Sequence, residues 1–212
     1  MPVNTQATAT QAAPQRYGAV AQGLHWLVVA MLAVQYSVAL WLVYVLPKSA
    51  GPSLVAWHFS VGSSVAVVML ARLAWRLTHP PPPSPKDLPR RLRLLSRATH
   101  WTFYVVLIVL PVLGWAAVSA EGVQIYLAGL VRLPLLVPKG DPFGMAMHRA
   151  HPVLAISLLA VMALHIAGAL YHALIKRDGV LSRMLPRWLQ SGHVQDAPAQ
   201  PSARQQDKPS SL

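Results

Sequence analysis

The chain of 212 residues contains no cysteine. That absence excludes disulfides, thiolate metal sites, iron–sulfur clusters and covalently attached c-type haem. Acidic residues are scarce, six against 18 Lys and Arg, for a formal charge of +12. Charge of either sign is thin, 11% of residues, where soluble domains carry roughly 25%. So few charges cannot cover a globular surface, and part of the surface must face lipid. A basic excess can also mark a nucleic-acid partner. Here the basic residues flank apolar runs and are sparse within them, the pattern of a chain held at a negatively charged cytoplasmic leaflet. Nucleic acid is therefore set aside as a partner.

What is present is hydrophobic, 54% of the chain. Four stretches approach or exceed the roughly 20 residues that span a bilayer. They run from about Leu24 to Leu46, from Leu54 to Ala74, from Thr102 (or a turn earlier) to Val118, and from Val153 to Ile175 with a first turn that can begin before it. Pro111 and Gly114 lie in the third, which lipid-embedded helices tolerate when neighbours satisfy the freed carbonyl. A fifth piece, Val123 to Val137, is interrupted by Gly129, Arg132 and Pro134 and reads as a segment on or dipping into the membrane surface. The expected fold class is all-α, an integral membrane four-helix bundle over residues 16–190. Residues 1–15 and 191–212 read as disordered tails, and 1–15 lacks the basic and apolar regions of a signal peptide, so the first run is expected to stay as an anchor. The run His79-Pro80-Pro81-Pro82-Pro83-Ser84-Pro85 is a stiff spacer.

Basic residues also orient the bundle. Arg16, Arg76, Lys86, Arg90, Arg91, Arg93, Arg97, Lys176, Arg177, Arg183 and Arg187 fall on one side. Lys48, Arg132, Lys139 and Arg149 fall on the other. Both termini are expected in the cytoplasm.

Nine histidines remain: His25, His58, His79, His100, His148, His151, His165, His172 and His193. One ionisable residue in a membrane helix is a functional hypothesis, yet a lone histidine is more often interfacial and hydrogen-bonded to a neighbour. The set shifts the balance. Fourteen residues separate His151 from His165, which puts them within roughly 40° on one helix face and about 21 Å apart along the axis. His148 does not share that face. Topology then sorts the candidates by depth: His25 with His165 near the cytoplasmic side, His58 with His151 near the outer side. Two imidazoles facing each other at equal depth suit a haem iron held on both sides, and facing helices of bundles commonly build such sites. Zinc needs about four ligands converging on one point, and neither layer offers cysteine or carboxylate. No Asp or Glu lies in any of the four runs, which also argues against ion pumping through buried carboxylates. Gly62, Ser63, Ser64 and Gly168 near these histidines allow either close approach of a flat ring or plain helix packing. Arg72, fourteen residues after His58, either pairs with a haem propionate or snorkels to the headgroups.

The ordered series Arg16-Tyr17, Leu24-His25-Trp26, His58 with Gly62, and Ala71-Arg72-Leu73-Ala74-Trp75-Arg76 continues through His100 and Leu110-Pro111-Val112-Leu113-Gly114. It ends with His151, Leu164-His165, His172 and Leu181-Ser182-Arg183-Met184-Leu185-Pro186. Over residues 16–187 this resembles the bacterial cytochrome b561 family, which includes cytochrome b subunits of nickel hydrogenases. The resemblance implies two non-covalent haems b per chain, with His25, His58, His151 and His165 as axial ligands. It extends to members that oxidise superoxide at the periplasmic side and pass the electron to ubiquinone; Lys48, Arg132, Lys139 and Arg149 would then draw the anion in. His172 and His100 would line a quinone pocket, or His100 would bond a propionate; an ordinary interfacial role is the competing reading for both. The function expected is a di-haem electron carrier of the bacterial inner membrane, its partners lipid, quinone and superoxide or a periplasmic redox protein. The alternatives are a membrane anchor relaying electrons for a periplasmic redox enzyme, and a haem-free transporter or scaffold.

Overall fold

The computed structural model describes residues 16–45, 52–84 and 88–186. Both expected tails, Lys48, Lys86 and Arg187 lie outside these residues. In lipid every backbone group must find its partner within the protein, which favours long uninterrupted helices. Four form: α1 (Ala19–Tyr44), α2 (Pro52–Thr78), α3 (Arg90–Ala120) and α4 (Pro142–Leu170). All four are long and apolar enough to cross a membrane. Their outer faces stay apolar, with Val43 71%, Val153 66% and Ile156 70% exposed. Surfaces of that kind are stable against acyl chains.

Two helices, α3 and α4, start about three turns before the apolar runs that mark them. The first three turns of α3 carry Arg90, Arg91, Arg93 and Arg97, whose polarity hides a helix that emerges from the hydrocarbon into the headgroup layer. The start of α4 is masked by Pro152, which reads as a breaker but lies inside the helix. A proline deletes one amide, and a membrane helix absorbs that loss. The true start is capped by Asp141, whose Oδ1 accepts from Gly144 N at 3.0 Å, with Pro142 in the first turn. Gly144 also lets α4 lie against α3, because a Cβ there would stand 2.6 Å from Ala120 Cβ and 2.7 Å from the Ala116 carbonyl oxygen.

The fifth apolar piece is a small antiparallel hairpin, β1 (Tyr126–Leu127) with β2 (Val131–Arg132), packed against α2. Its turn uses positive φ at Ala128 (51°) and Gly129 (72°), so Gly129 turns the chain rather than merely interrupting an apolar run. The following segment is tied to α3: Trp115 Nε1 donates to the Pro134 carbonyl at 2.9 Å, and Leu136 N donates to buried Ser119 Oγ at 3.0 Å.

At the opposite end, the chain after α4 passes through a π-helical turn, Tyr171–Lys176, then Arg177 in the left-handed region, then a 3-10 turn, Leu181–Arg183. This hook latches onto the beginning of α1. Tyr17 N and Gln22 Nε2 donate to the Arg183 carbonyl at 3.3 and 3.0 Å, Trp26 Nε1 donates to the Met184 carbonyl at 2.9 Å, and Arg16 donates to the Leu185 carbonyl. Arg183 in turn donates to the Pro83 carbonyl at 2.7 Å, holding the proline run.

Packing runs in sequence order, α1 on α2, α2 on α3 and α3 on α4. Among the described residues no comparable backbone approach joins α4 to α1 or to α2. A core of Val28, Val65, Met69, Tyr104, Leu107 and Leu158 fills the middle of the bundle. Leu158 is midway between His151 and His165, so this plug separates the two histidine depths.

Candidate functional site

The structure brings the four paired histidines together as two pairs. His25 of α1 and His165 of α4 have ring centres 6.4 Å apart. His58 of α2 and His151 of α4 have ring centres 6.2 Å apart. Both pairs bridge helices whose backbones otherwise keep their distance. An imidazole nitrogen binds a metal at about 2.0–2.1 Å, with the ring centre about 1.2 Å further back, so two rings on one atom stand roughly 6.4 Å apart. The observed spacings match. Interplanar angles of 69° and 72° leave both rings of a pair free to stand upright on a flat macrocycle between them.

The second test is whether these residues want a partner. His25 Nδ1 is buried without one, an expensive state for a polar atom in a low-dielectric interior. His151 is held with its Nδ1 donating to the Leu110 carbonyl at 3.0 Å, which assigns the proton to Nδ1 and leaves Nε2 as the free lone pair. Gly114 makes room for that ring, since a Cβ there would be 3.1 Å from its Cε1 and Nδ1. The Pro111-to-Gly114 segment of α3 is thus a seat for His151. Among the described residues no group of three or more His, Asp or Glu converges on a metal position, which disfavours zinc. A pair of facing imidazoles across a gap fits haem.

The remaining histidines divide. His100 joins the His25–His165 layer, its ring centre 5.3 Å from that of His165 and its Nδ1 donating to the Ser96 carbonyl at 2.6 Å. Phe103 stands 5.2 Å from His165 on the same side. Arg72 lies close enough to interact electrostatically with His25, His100 and His165, and its guanidinium is 5.9 Å from the Tyr104 ring centre. It is therefore directed into the bundle beside this layer. His172 sits in the π-helical turn, 2.6 Å from Asp178 Oδ2; Asp178 Oδ1 accepts from Val180 N at 3.2 Å. His148 is apart from the site, 61% exposed and 3.4 Å from Glu121. His79 stacks on Trp75, ring centres 3.7 Å apart.

Sequence reasoning missed Gln35, Tyr36, Phe103 and Asp178. Gln35 Nε2 lies 3.1 Å from His58 Nδ1, 3.2 Å from His58 Nε2 and 3.1 Å from the His58 carbonyl oxygen. A Cβ at Gly62 would come within 3.0 Å of the same amide nitrogen, so this glycine makes room for Gln35. Tyr36 donates to the Ala155 carbonyl at 2.7 Å and so crosses from α1 to α4. An amide in the middle of an apolar run is the signal that could have drawn attention to Gln35.

The sequence profile of the family described as prokaryotic cytochrome b561 matches residues 16–187. The chain belongs to the prokaryotic cytochrome b561 family. Its relatives include a probable superoxide oxidase CybB of Yersinia pestis, 30% identical over 82% of this chain and 97% of that one. Cytochrome b561 homolog 2 of Escherichia coli K12 is 29% identical over 81% of this chain and 92% of its own length. Cytochrome b561 homolog 1 of the same strain is 26% identical over 77% of this chain and 93% of its own. Family and fold together make this a multi-pass electron-transfer protein of the bacterial inner membrane, and the family carries haem b. The residues present fit that group.

Proposed function

We propose that this cytochrome binds two haems b, one between His25 and His165 and one between His58 and His151. The observation that carries the reading is the pair of imidazole gaps, 6.4 and 6.2 Å between ring centres, each spanning helices whose backbones keep their distance. Haem bound there would supply one-electron chemistry, with one histidine of each pair to hold it from either side. The protein's own residues do the rest. The Leu110 carbonyl fixes the His151 tautomer, the Val65–Leu107–Leu158 plug keeps water from between the layers, and Arg72 offers a cation to a propionate beside the His25 layer.

The concentration of Arg76, Arg90, Arg91, Arg93 and Arg97 supports a cytoplasmic position for the hook end. There His172 with Asp178, and His100, are the groups suited to a quinone headgroup, His172 as hydrogen-bond donor and proton carrier. At the hairpin end Arg132, Lys139 and Arg149 supply the positive field that suits a small anion. Superoxide is the anion favoured, on the likeness to the relative named a probable superoxide oxidase.

The test is a reduced-minus-oxidised spectrum with haem counted per purified chain. Two low-spin haems are expected, with reduction by a superoxide source in detergent. Fewer than two refutes the ligand assignment. Reduction by chemical reductants but not by superoxide refutes the substrate alone.

A further inference from the structure

The start of α1, the end of α2 and the proline run enclose a cavity of about 500 Å³, and neither histidine pair lines it. That volume suits a small-molecule group. Its walls are Tyr17, Trp75, His79 and the prolines 80–83, with the guanidinium of Arg16 among them. Arg16 is held in place by its bond to the Leu185 carbonyl. Gly18, the N-cap of α1, also lines the cavity and brings no side-chain cap, so the first amides of α1 add partial positive charge to the Arg16 wall.

His79 is braced on the opposite wall. Its ring stacks on Trp75, with 3.7 Å between ring centres and 3° between planes. Thr78 Oγ1 donates to the Ala74 and Trp75 carbonyls, 3.1 Å from each, and so accepts from His79 Nδ1 at 2.9 Å. The ring proton therefore sits on Nδ1, and Nε2 is left as an acceptor. Position in the bilayer narrows the ligand further. The cavity lies where α2 ends and α1 begins, with Trp75 and Tyr17 as the amphipathic rings typical of the headgroup level. Below it Leu70 and Leu77 of α2 are exposed toward acyl chains. A bare ion would meet mostly apolar walls here, whereas basic pockets between membrane helices suit anionic lipid headgroups.

We propose that this cavity holds the headgroup of one anionic phospholipid of the phosphatidylglycerol kind. Arg16 pairs with the phosphodiester, His79 Nε2 accepts from a glycerol hydroxyl, and Trp75 with the prolines encloses the carbon atoms between. The site needs no haem and stands apart from the two-haem reading.

Native mass spectrometry of the delipidated full-length protein, with one lipid added at a time, tests this. One phosphatidylglycerol per chain is expected to stay bound under activation that sheds phosphatidylcholine. Arg16→Gln should weaken its retention about fivefold, and Arg16→Lys should restore part of it. His79→Phe keeps a ring on Trp75 but loses the acceptor. It should bring phosphatidylglycerol down to the level of phosphatidylethanol, an anionic phosphodiester without a hydroxyl, and leave phosphatidylethanol unchanged. A packing role would not produce that selective loss, and it decides the matter even if Arg16→Gln fails to accumulate. Equal retention of phosphatidylglycerol and phosphatidylcholine overturns the proposal, as does phosphatidylglycerol retention unaltered by His79→Phe. Displacement of the lipid by excess inorganic phosphate marks a free-anion site, and a quinone retained in its place marks a redox-ligand site; either result overturns the proposal.

Discussion

The hairpin-end and hook-end layers are built on one scaffold helix yet are furnished differently. At the hairpin end His58 and His151 are gripped by neutral groups, an amide and a backbone carbonyl. At the hook end His25 and His165 are surrounded by rings and charge, with His100 and Phe103 within 5.3 Å of His165 and Arg72 nearby. Depth is set by the period of α4, while character is set by what α1, α2 and α3 bring to each layer. A pair of inward-facing histidines is thus easy to repeat along a helix, and the surroundings make the two copies unequal.

The most damaging way to probe that inequality is to delete one of the paired histidines. His165→Ala should remove the hook-end haem and His151→Ala the hairpin-end haem, each dropping the count from two to one in a pyridine haemochrome assay. Next comes the seat of His151: Gly114→Val places a branched side chain where even a Cβ would stand 3.1 Å from the ring. Overpacking of this kind costs about 1–3 kcal/mol. Haem loss on heating should become biphasic, the hairpin-end haem leaving first. Phe103→Ala acts on the other layer, removing a ring 5.2 Å from His165. An edge-to-face pair is worth about 0.5–1.5 kcal/mol, so the hook-end haem should then leave first in the same assay. Least costly is Tyr36→Phe, which loses the bond to the Ala155 carbonyl. Such bonds between membrane helices average about 0.6 kcal/mol, and a small decrease in thermal stability is expected, felt more at the hairpin-end layer, since Ala155 lies between His151 and Leu158.

Much of this was legible from the residues. Four apolar runs gave four spans, because lipid leaves a chain few other options. The His151–His165 interval gave the two depths, because helical periodicity is fixed by the backbone. The helix beginnings were not legible, since the arginines of α3 and Pro152 of α4 imitate loop signals that the membrane setting overrides. Nor was the partner of each ring, because Gln35 reaches His58 from 23 residues away and Leu110 reaches His151 from 41. Such contacts depend on how helices face one another, which a single sequence does not encode locally. The role of Gly62 was open for the same reason, its neighbour Gln35 being on another helix.

The latch at the hook end bears on the order in which the protein is made. α1 leaves the ribosome first, but Gln22 and Trp26 find their carbonyl acceptors 161 and 158 residues later. At synthesis rates of about 5–20 residues per second, those side chains wait roughly 8–32 s for their partners. The opening turns of the first helix must meanwhile be served by water and headgroups, and the bundle is fastened only when its last helix has arrived.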